Sequence, residues 1–208
     1  KNKKSFNLYM IHGGTNFGFN AGANCDDING FQPQITSYDY DAPINENGVG
    51  GDKYFALRKV LGEFFNETFP EPPKAIETIE INRINLTAWT SIWNILPQPI
   101  RLIFPKTFEY FGQFSGIIVY STFLVNKTFG NLEIKGLADY GLVFVNDLFI
   151  GKLDRKNGIF NIQLNKSNNT NVRLDIVVEG MGRINFGDKI IDRKGINGNV
   201  TLDGEVLI

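Results

Sequence analysis

Tyr9, Tyr38 and Tyr40 are the residues of this 208-residue chain best placed to do chemistry with a ligand. A tyrosine offers a flat apolar face together with a hydroxyl that both donates and accepts, which suits the C–H side and the hydroxyls of a pyranose ring. Tyr9 lies in the run NLYMIHGGTNFGF (7–19), and Tyr38 and Tyr40 lie in TSYDYDAP (36–43). If Tyr38-Asp39-Tyr40-Asp41 is extended, alternation sends both tyrosines to one side and both aspartates to the other. An aromatic-rich loop is more often packing than a ligand site, so these residues alone leave both readings open.

Other chemistries are closed off by what is scarce. His12 and Cys25 are each single, which removes an internal disulfide and any multi-cysteine or His-paired metal site. Lys and Arg number 21 against 22 Asp and Glu, a formal net charge of −1, with no basic cluster of the kind that phosphate binding requires. Lys1–Lys4 reads as a solvated end. No apolar run approaches the roughly 18 residues that span a bilayer, and Lys1–Phe6 lacks the apolar core of a signal peptide.

The elements that must hold the tyrosines can be placed along the chain. Asn7–Met10 reads as a buried parallel strand that empties into a loop at Gly13-Gly14. From Asn16 to Gly51 the chain is rich in Gly, Asn, Asp and Pro without apolar periodicity, and a loop that long is usually functional or disordered. Asp52–Phe65 reads as an amphipathic helix, capped by Asp52, with Tyr54, Leu57, Leu61 and Phe64 on one face. Pro70, Pro72 and Pro73 end it and mark a linker. Strand, loop and helix make one βα unit, whose Phe55, Leu57, Val60 and Phe64 need a sheet to cover.

Beyond about Ala75 short β-rich runs recur with turn signals between them: 75–81, 102–104, 116–123, 131–134, 141–145, 148–153, 159–164, 172–178 and 200–202. This texture predicts an antiparallel β-sandwich or jelly roll. The clearest hairpin is LVFVNDLFIGKL, with Asn146-Asp147 as a two-residue turn that tolerates positive φ. Asp154–Gly158 supplies a second polar turn.

Asn-X-Ser/Thr sequons begin at Asn66, Asn85, Asn126, Asn165, Asn168 and Asn199. Their number exceeds what composition alone would place, and an acceptor sequon reads as a surface site in a secreted protein. The expectation is a destination along the secretory pathway, lysosomal or secreted.

NLYMIHGGTNFGF, QITSYDYDAPINENG and DKYFALR, in that order over about sixty residues, resemble the last strand and active-site rim of family 35 glycoside hydrolases, the β-galactosidases. GLADYGLVFVNDLFIGKLDRKNG and LDIVVEGMGRINFGDKIIDRKGING resemble the first β-domain that follows the barrel in the same enzymes. The resemblance implies that Tyr9 and Tyr40 line the galactose pocket at the C-terminal mouth of a (β/α)₈ barrel. It also implies that Gly13-Gly14 turns the backbone beside that pocket, that Thr15 and Asn16 support the loop, and that Asp39 and Asp41 hold its shape rather than touch sugar. His12 stands where an apolar residue is expected, and the extra length around Cys25–Phe31 departs from the family pattern. In the sandwich, Glu179, Arg183 and Asn185 are expected to stabilise the domain and its docking to the barrel, and Trp89 and Trp93 to be core or interface residues.

The reaction implied is retaining hydrolysis of a terminal β-galactoside, which needs two carboxyl groups about 5–5.5 Å apart. Glu46, Glu63, Glu71, Glu77 and Glu80 lie in loop, helix, linker and first β-run, and none sits in a motif like the family's acid/base or nucleophile signature. No catalytic pair is expected here. The reading is therefore a C-terminal fragment, without its catalytic glutamates and without the N-terminal part of the barrel. Residues 1–69 form the last βα unit of a TIM barrel, 70–75 a proline-rich linker, and 76–208 an all-β, jelly-roll-like antiparallel sandwich. Galactose-terminated glycans are the implied partners, and no metal or organic cofactor, nucleic acid or membrane span is implied. The rival readings are a non-catalytic carbohydrate-binding module and a structural β-sandwich with no sugar role.

Overall fold

The computed structural model describes residues 5–166 and 169–208. It is mostly β, with antiparallel sheets and one α-helix. Two compact units divide it: Lys1–Asn16 with Thr36–Arg101, and Phe17–Ile35 with Leu102–Ile208.

The second unit carries the sandwich. Its strands are β1 Gly22–Asp26, β2 Gly30–Pro33, β3 Gly116–Val125, β4 Gly130–Glu133, β5 Leu137–Ala138, β6 Tyr140–Val145, β7 Leu148–Asp154, β8 Asn161–Leu164, β9 Asn171–Gly180, β10 Arg183–Ile184, β11 Gly195–Ile196, β12 Thr201–Leu202 and β13 Glu205–Val206. One sheet runs β3-β9-β6-β7 and another β13-β12-β4-β8, with every neighbour antiparallel. Leu124, Val143, Leu153, Val172, Leu174, Ile176 and Val178 of the first sheet share one buried cluster with Leu132, Leu164 and Leu202 of the second. This interdigitation of two inner faces defines a sandwich core.

The hairpin at Asn146-Asp147 forms as expected. Val145 pairs with Leu148 and both turn residues have positive φ, +47° and +66°, as a type I′ turn requires. Between Val143 and Phe144 the register shifts, so that Ile150 is an extra residue in β7, a β-bulge. The runs expected at 116–123, 131–134, 141–145, 148–153, 159–164, 172–178 and 200–202 are all strands or contain one.

Other expectations are corrected. Asn7–Met10 is not a strand, and Tyr9 is 84% exposed. A parallel strand needs backbone partners, and the parallel pairing near it is a single bridge, His12 with Ile44. Residues 75–81 and 102–104 are coil for the same reason, and Ile76 and Ile79 lie in solvent. Within the expected loop 16–51, β1 and β2 form a hairpin, and β1 pairs in parallel with β10. The Asn29-Gly30 dipeptide was the available signal, with Gly30 at φ +66°. Of the two places expected for Trp89, core or interface, its exposure removes the core.

The helix α1, Asp52–Phe65, lies where the periodicity puts it, but Gly51 is its N-cap and makes no side-chain cap bond. Asn66, in the left-handed region, ends the helix before the prolines are reached, with its backbone N–H bonded to Gly62 O. Tyr54, Leu57 and Leu61 are half-buried, Phe64 is exposed, and no helical residue is fully buried. The apolar surface expected on residues 1–70 is there, with Phe55, Val60, Phe64 and Phe65 all exposed.

Candidate functional site

The tyrosines do come together. Tyr9, Tyr38 and Tyr40 line one cavity of about 410 Å³ in the first unit, with Asp39, Asp41 and Leu57 among the other lining residues. Tyr38 and Tyr40 meet edge to face with ring centroids 5.0 Å apart. Burial, and after it the neighbouring Tyr9 and Tyr40, push the Tyr38 phenol above its ordinary range. Tyr9 and Tyr40 remain exposed, and the Tyr9 side chain is hydrogen-bonded to that of Tyr38.

The segment that presents them is a turn, not an extended strand. Tyr40 and Asp41 have φ of +46° and +60°, so the expected alternation of tyrosines and aspartates does not arise. Instead Asp39 closes the turn. Its carbonyl and its Oδ1 each accept the Ala42 N–H, both at 3.0 Å. Asp41 forms an ion pair with Lys53 at 2.6 Å, with both groups largely in solvent. Two aspartates engaged in this way shape the loop.

A short ladder fixes that loop against the Gly13-Gly14 segment. Tyr38 N–H donates to Gly14 O at 3.0 Å, Asn16 N–H to Thr36 O at 2.7 Å, and Ile44 N–H to Ile11 O at 2.9 Å. Thr15 Oγ1 donates to Glu46 Oε1 at 2.6 Å. A Cβ at Gly13 would lie 1.7 Å from Tyr38 O, so the two backbones touch only because residue 13 has no side chain. His12, unexplained by the family pattern, is exposed beside this ladder.

The carboxylates that line the cavity are Asp39 and Asp41. Glu46, Glu63, Glu71, Glu77 and Glu80 are all exposed, and none of them lines it. No group of three or more metal-ligating side chains gathers among the described residues.

The most concentrated set of charges among the described residues, which no motif in the sequence marks, lies in the second unit. Lys194 Nζ donates to Asp139 Oδ2 at 2.6 Å, Asp192 Oδ2 at 2.7 Å and Gly182 O at 2.8 Å. Arg155 Nη1 bridges the same two aspartates at 2.7 Å each. Phe31 of β2 lies over both cations, 4.2 Å from the Arg155 guanidinium carbon and 4.8 Å from Lys194 Nζ. Burial alone would raise the Asp192 carboxyl, but hydrogen bonds from Lys194 and Arg155 hold it below the usual carboxylate range. Two anions, two cations and an aromatic lid form a closed structural set. Their positions, 31, 139, 155, 192 and 194, share no spacing that a sequence reader would group.

Glu179 lies in β9, opposite Ile117 and Tyr140, and Asn185 follows directly on β10. Arg183 ties the 3₁₀ turn Phe108–Phe111 and its flank to β10, through Glu109 at 2.7 Å and Phe114 O at 2.7 and 3.0 Å. Asn66, Asn85, Asn126, Asn165 and Asn199 are all exposed, whereas Asn168 lies outside the described residues.

Residues 1–64 match the family "Glycosyl hydrolases family 35", and residues 105–208 match "Beta-galactosidase, first all-beta domain". The chain is 38% identical over 212 residues to a β-galactosidase of Felis catus, covering 97% of this chain and 30% of the relative. It is 36% identical over 218 residues to β-galactosidase 17 of Arabidopsis thaliana, covering 96% and 31%. Against a β-galactosidase of Xanthomonas manihotis the identity is 34% over 206 residues, covering 98% and 34%. This chain belongs to the family 35 β-galactosidases, and it spans about a third of the length of the curated relatives it matches.

Proposed function

We propose that this chain is the C-terminal part of a retaining β-galactosidase that releases terminal, non-reducing β-D-galactose from glycoconjugates or oligosaccharides. The observation that carries the reading is the order of the two family matches, 1–64 and then 105–208, in one chain aligned over nearly its whole length with β-galactosidases. Residues 1–69 act as the last βα unit of a (β/α)₈ barrel, 70–75 as the linker and 76–208 as the jelly-roll-like accessory domain. Tyr9 and Tyr40 contribute the rim of the galactose subsite, offering ring faces to the sugar and hydroxyls to its oxygens. The exposed apolar face of α1 supports this, since a barrel helix has such a face to bury.

The two catalytic carboxyls belong to a segment preceding Lys1. Retaining hydrolysis uses one as nucleophile and the other as acid and then base. Asp39 and Asp41 do not substitute for them, being engaged by Ala42 N–H and Lys53. The sequons support passage through the secretory pathway, to a lysosomal or secreted destination. Among the described residues, no helix is long and apolar enough to cross a membrane.

Two measurements test this. The purified chain is assayed on a chromogenic β-galactoside, with no turnover expected; detectable hydrolysis would overturn the assignment of the catalytic pair to another segment. The coding sequence upstream of Lys1 is read through the length of a barrel, about 250 residues. Further βα units, with one glutamate at the end of the fourth strand and another at the end of the seventh, are expected. A start codon directly before Lys1 would instead favour a carbohydrate-binding or structural sandwich.

A further inference from the structure

We propose that Asn126 carries an N-linked glycan whose first sugars lie against Phe123 and Val125 on the outer face of the β3-β9-β6-β7 sheet. The inference rests on the secretory-pathway reading above and goes beyond it by naming one site and one contact.

β3 ends at Val125, and Asn126 follows at φ +65°, exposed, with its N–H bonded to Thr170 O at 2.9 Å. Along β3 the side chains alternate. Leu124 is buried in the core, and Phe123 and Val125 point the other way, 62% and 59% exposed. The strand therefore leads an apolar pair directly to a sequon asparagine. From Phe123 to Asn126 the chain advances three residues, about 10 Å along a strand, within the span of the first two sugars. The C–H face of N-acetylglucosamine is the kind of surface that lies on an aromatic ring.

No other described sequon has this arrangement. Residues 82–84, 162–164 and 196–198, which precede Asn85, Asn165 and Asn199, contain no aromatic residue. Before Asn66 stand two exposed aromatics, Phe64 and Phe65, but they lie on α1, about 200° and 100° around the helix axis from residue 66, and stack edge to face on each other rather than along one strand face.

The modification joins the Asn126 amide nitrogen to the anomeric carbon of a lipid-pyrophosphate-linked oligosaccharide. The bond from that carbon to the pyrophosphate oxygen breaks, the lipid pyrophosphate leaves, and the amide gives up one proton to base. The Thr128 hydroxyl of the sequon is buried in the fold and faces Asn169 O at 3.4 Å, so transfer precedes closure of the sandwich.

The full chain is expressed behind a secretion signal in a eukaryotic host with ¹³C-labelled sugars, and is then read by glycopeptide mass spectrometry and two-dimensional NMR. Occupancy at Asn126 is expected, with upfield ring-current shifts on protons of the first N-acetylglucosamine that vanish in Phe123→Ala. Glycan at Asn66, Asn85, Asn165 or Asn199 with Asn126 empty overturns the proposal alone. An occupied Asn126 with no upfield shift in the unmutated chain overturns the stacking, even if Phe123→Ala fails to secrete. Absence of glycan at every sequon overturns the proposal and the secretory reading together.

Discussion

Lys194 and Asp139, 55 residues apart in the chain, meet at 2.6 Å with each side chain only 1% exposed. The contact joins the strand pair β5–β11 to the turn before β6, and Asp192 and Arg155 complete it. A buried ammonium is tolerable only because three acceptors surround it, and removing it leaves two carboxylates with the Arg155 cation and one backbone N–H each, from Met181 and Ile184.

Lys194→Met is therefore expected to destabilise the second unit by about 3–5 kcal/mol, the usual cost of leaving a buried charge uncompensated. Urea unfolding followed by tryptophan-independent circular dichroism measures it. A loss below about 1 kcal/mol, the value of an exposed pair, would mean that the cluster contributes no more than a surface contact.

The same cluster sets an acid limit. Asp192 is held below its ordinary carboxylate value, so its contribution is present above the unfolded value of about 3.9 and is lost as pH falls through the native one. Arg155 is shifted upwards, so its contribution is complete throughout the acid range. Stability is expected to fall as pH drops below the ordinary carboxylate value of about 3.9, and more gently in Asp192→Asn than in the unmutated chain. Thermal midpoints recorded across that range check the slope, and parallel curves for the two proteins would contradict it.

Gly13→Ala places a methyl carbon 1.7 Å from Tyr38 O, a clash between backbones that no rotamer relieves. The expected cost is about 1–3 kcal/mol, the usual range for overpacking, confined to the tyrosine loop. Hydrogen exchange resolved by peptide should show faster exchange across residues 36–44, while β3 and β9 are unchanged. Uniform protection would show that the Gly13–Tyr38 approach does not hold the loop.

Phe108 and Phe64 provide a contrast between the two units. Phe108 is fully buried in the sandwich core, and Phe64 is half exposed on α1. Phe108→Ala is expected to cost about 3–5 kcal/mol. Phe64→Ser is expected to leave the unfolding midpoint of the isolated chain unchanged and to reduce its association, read by light scattering. A large loss from Phe64→Ser would mean that α1 already buries this face.

Local chemistry in the sequence was enough to determine α1 from its periodicity, the Asn146-Asp147 hairpin from its turn residues, and seven strand-bearing runs of the sandwich from their β-branched and aromatic content. Each of these depends on neighbours a few residues away, which a linear reading contains. The grouping of Tyr9 with Tyr40 was legible too, through resemblance, although the turn that presents them was not, because its positive φ angles at Tyr40 and Asp41 belong to residues with no obligate preference for them. Only tertiary structure decided that Phe31, Asp139, Arg155, Asp192 and Lys194 form one buried set, and that Asn7–Met10 and residues 75–81 remain unpaired coil. Strand formation and charge burial both require partners distant in sequence. A run with high β-propensity and no partner stays exposed, while a lysine with nothing unusual around it in the sequence becomes the centre of the core's charge network.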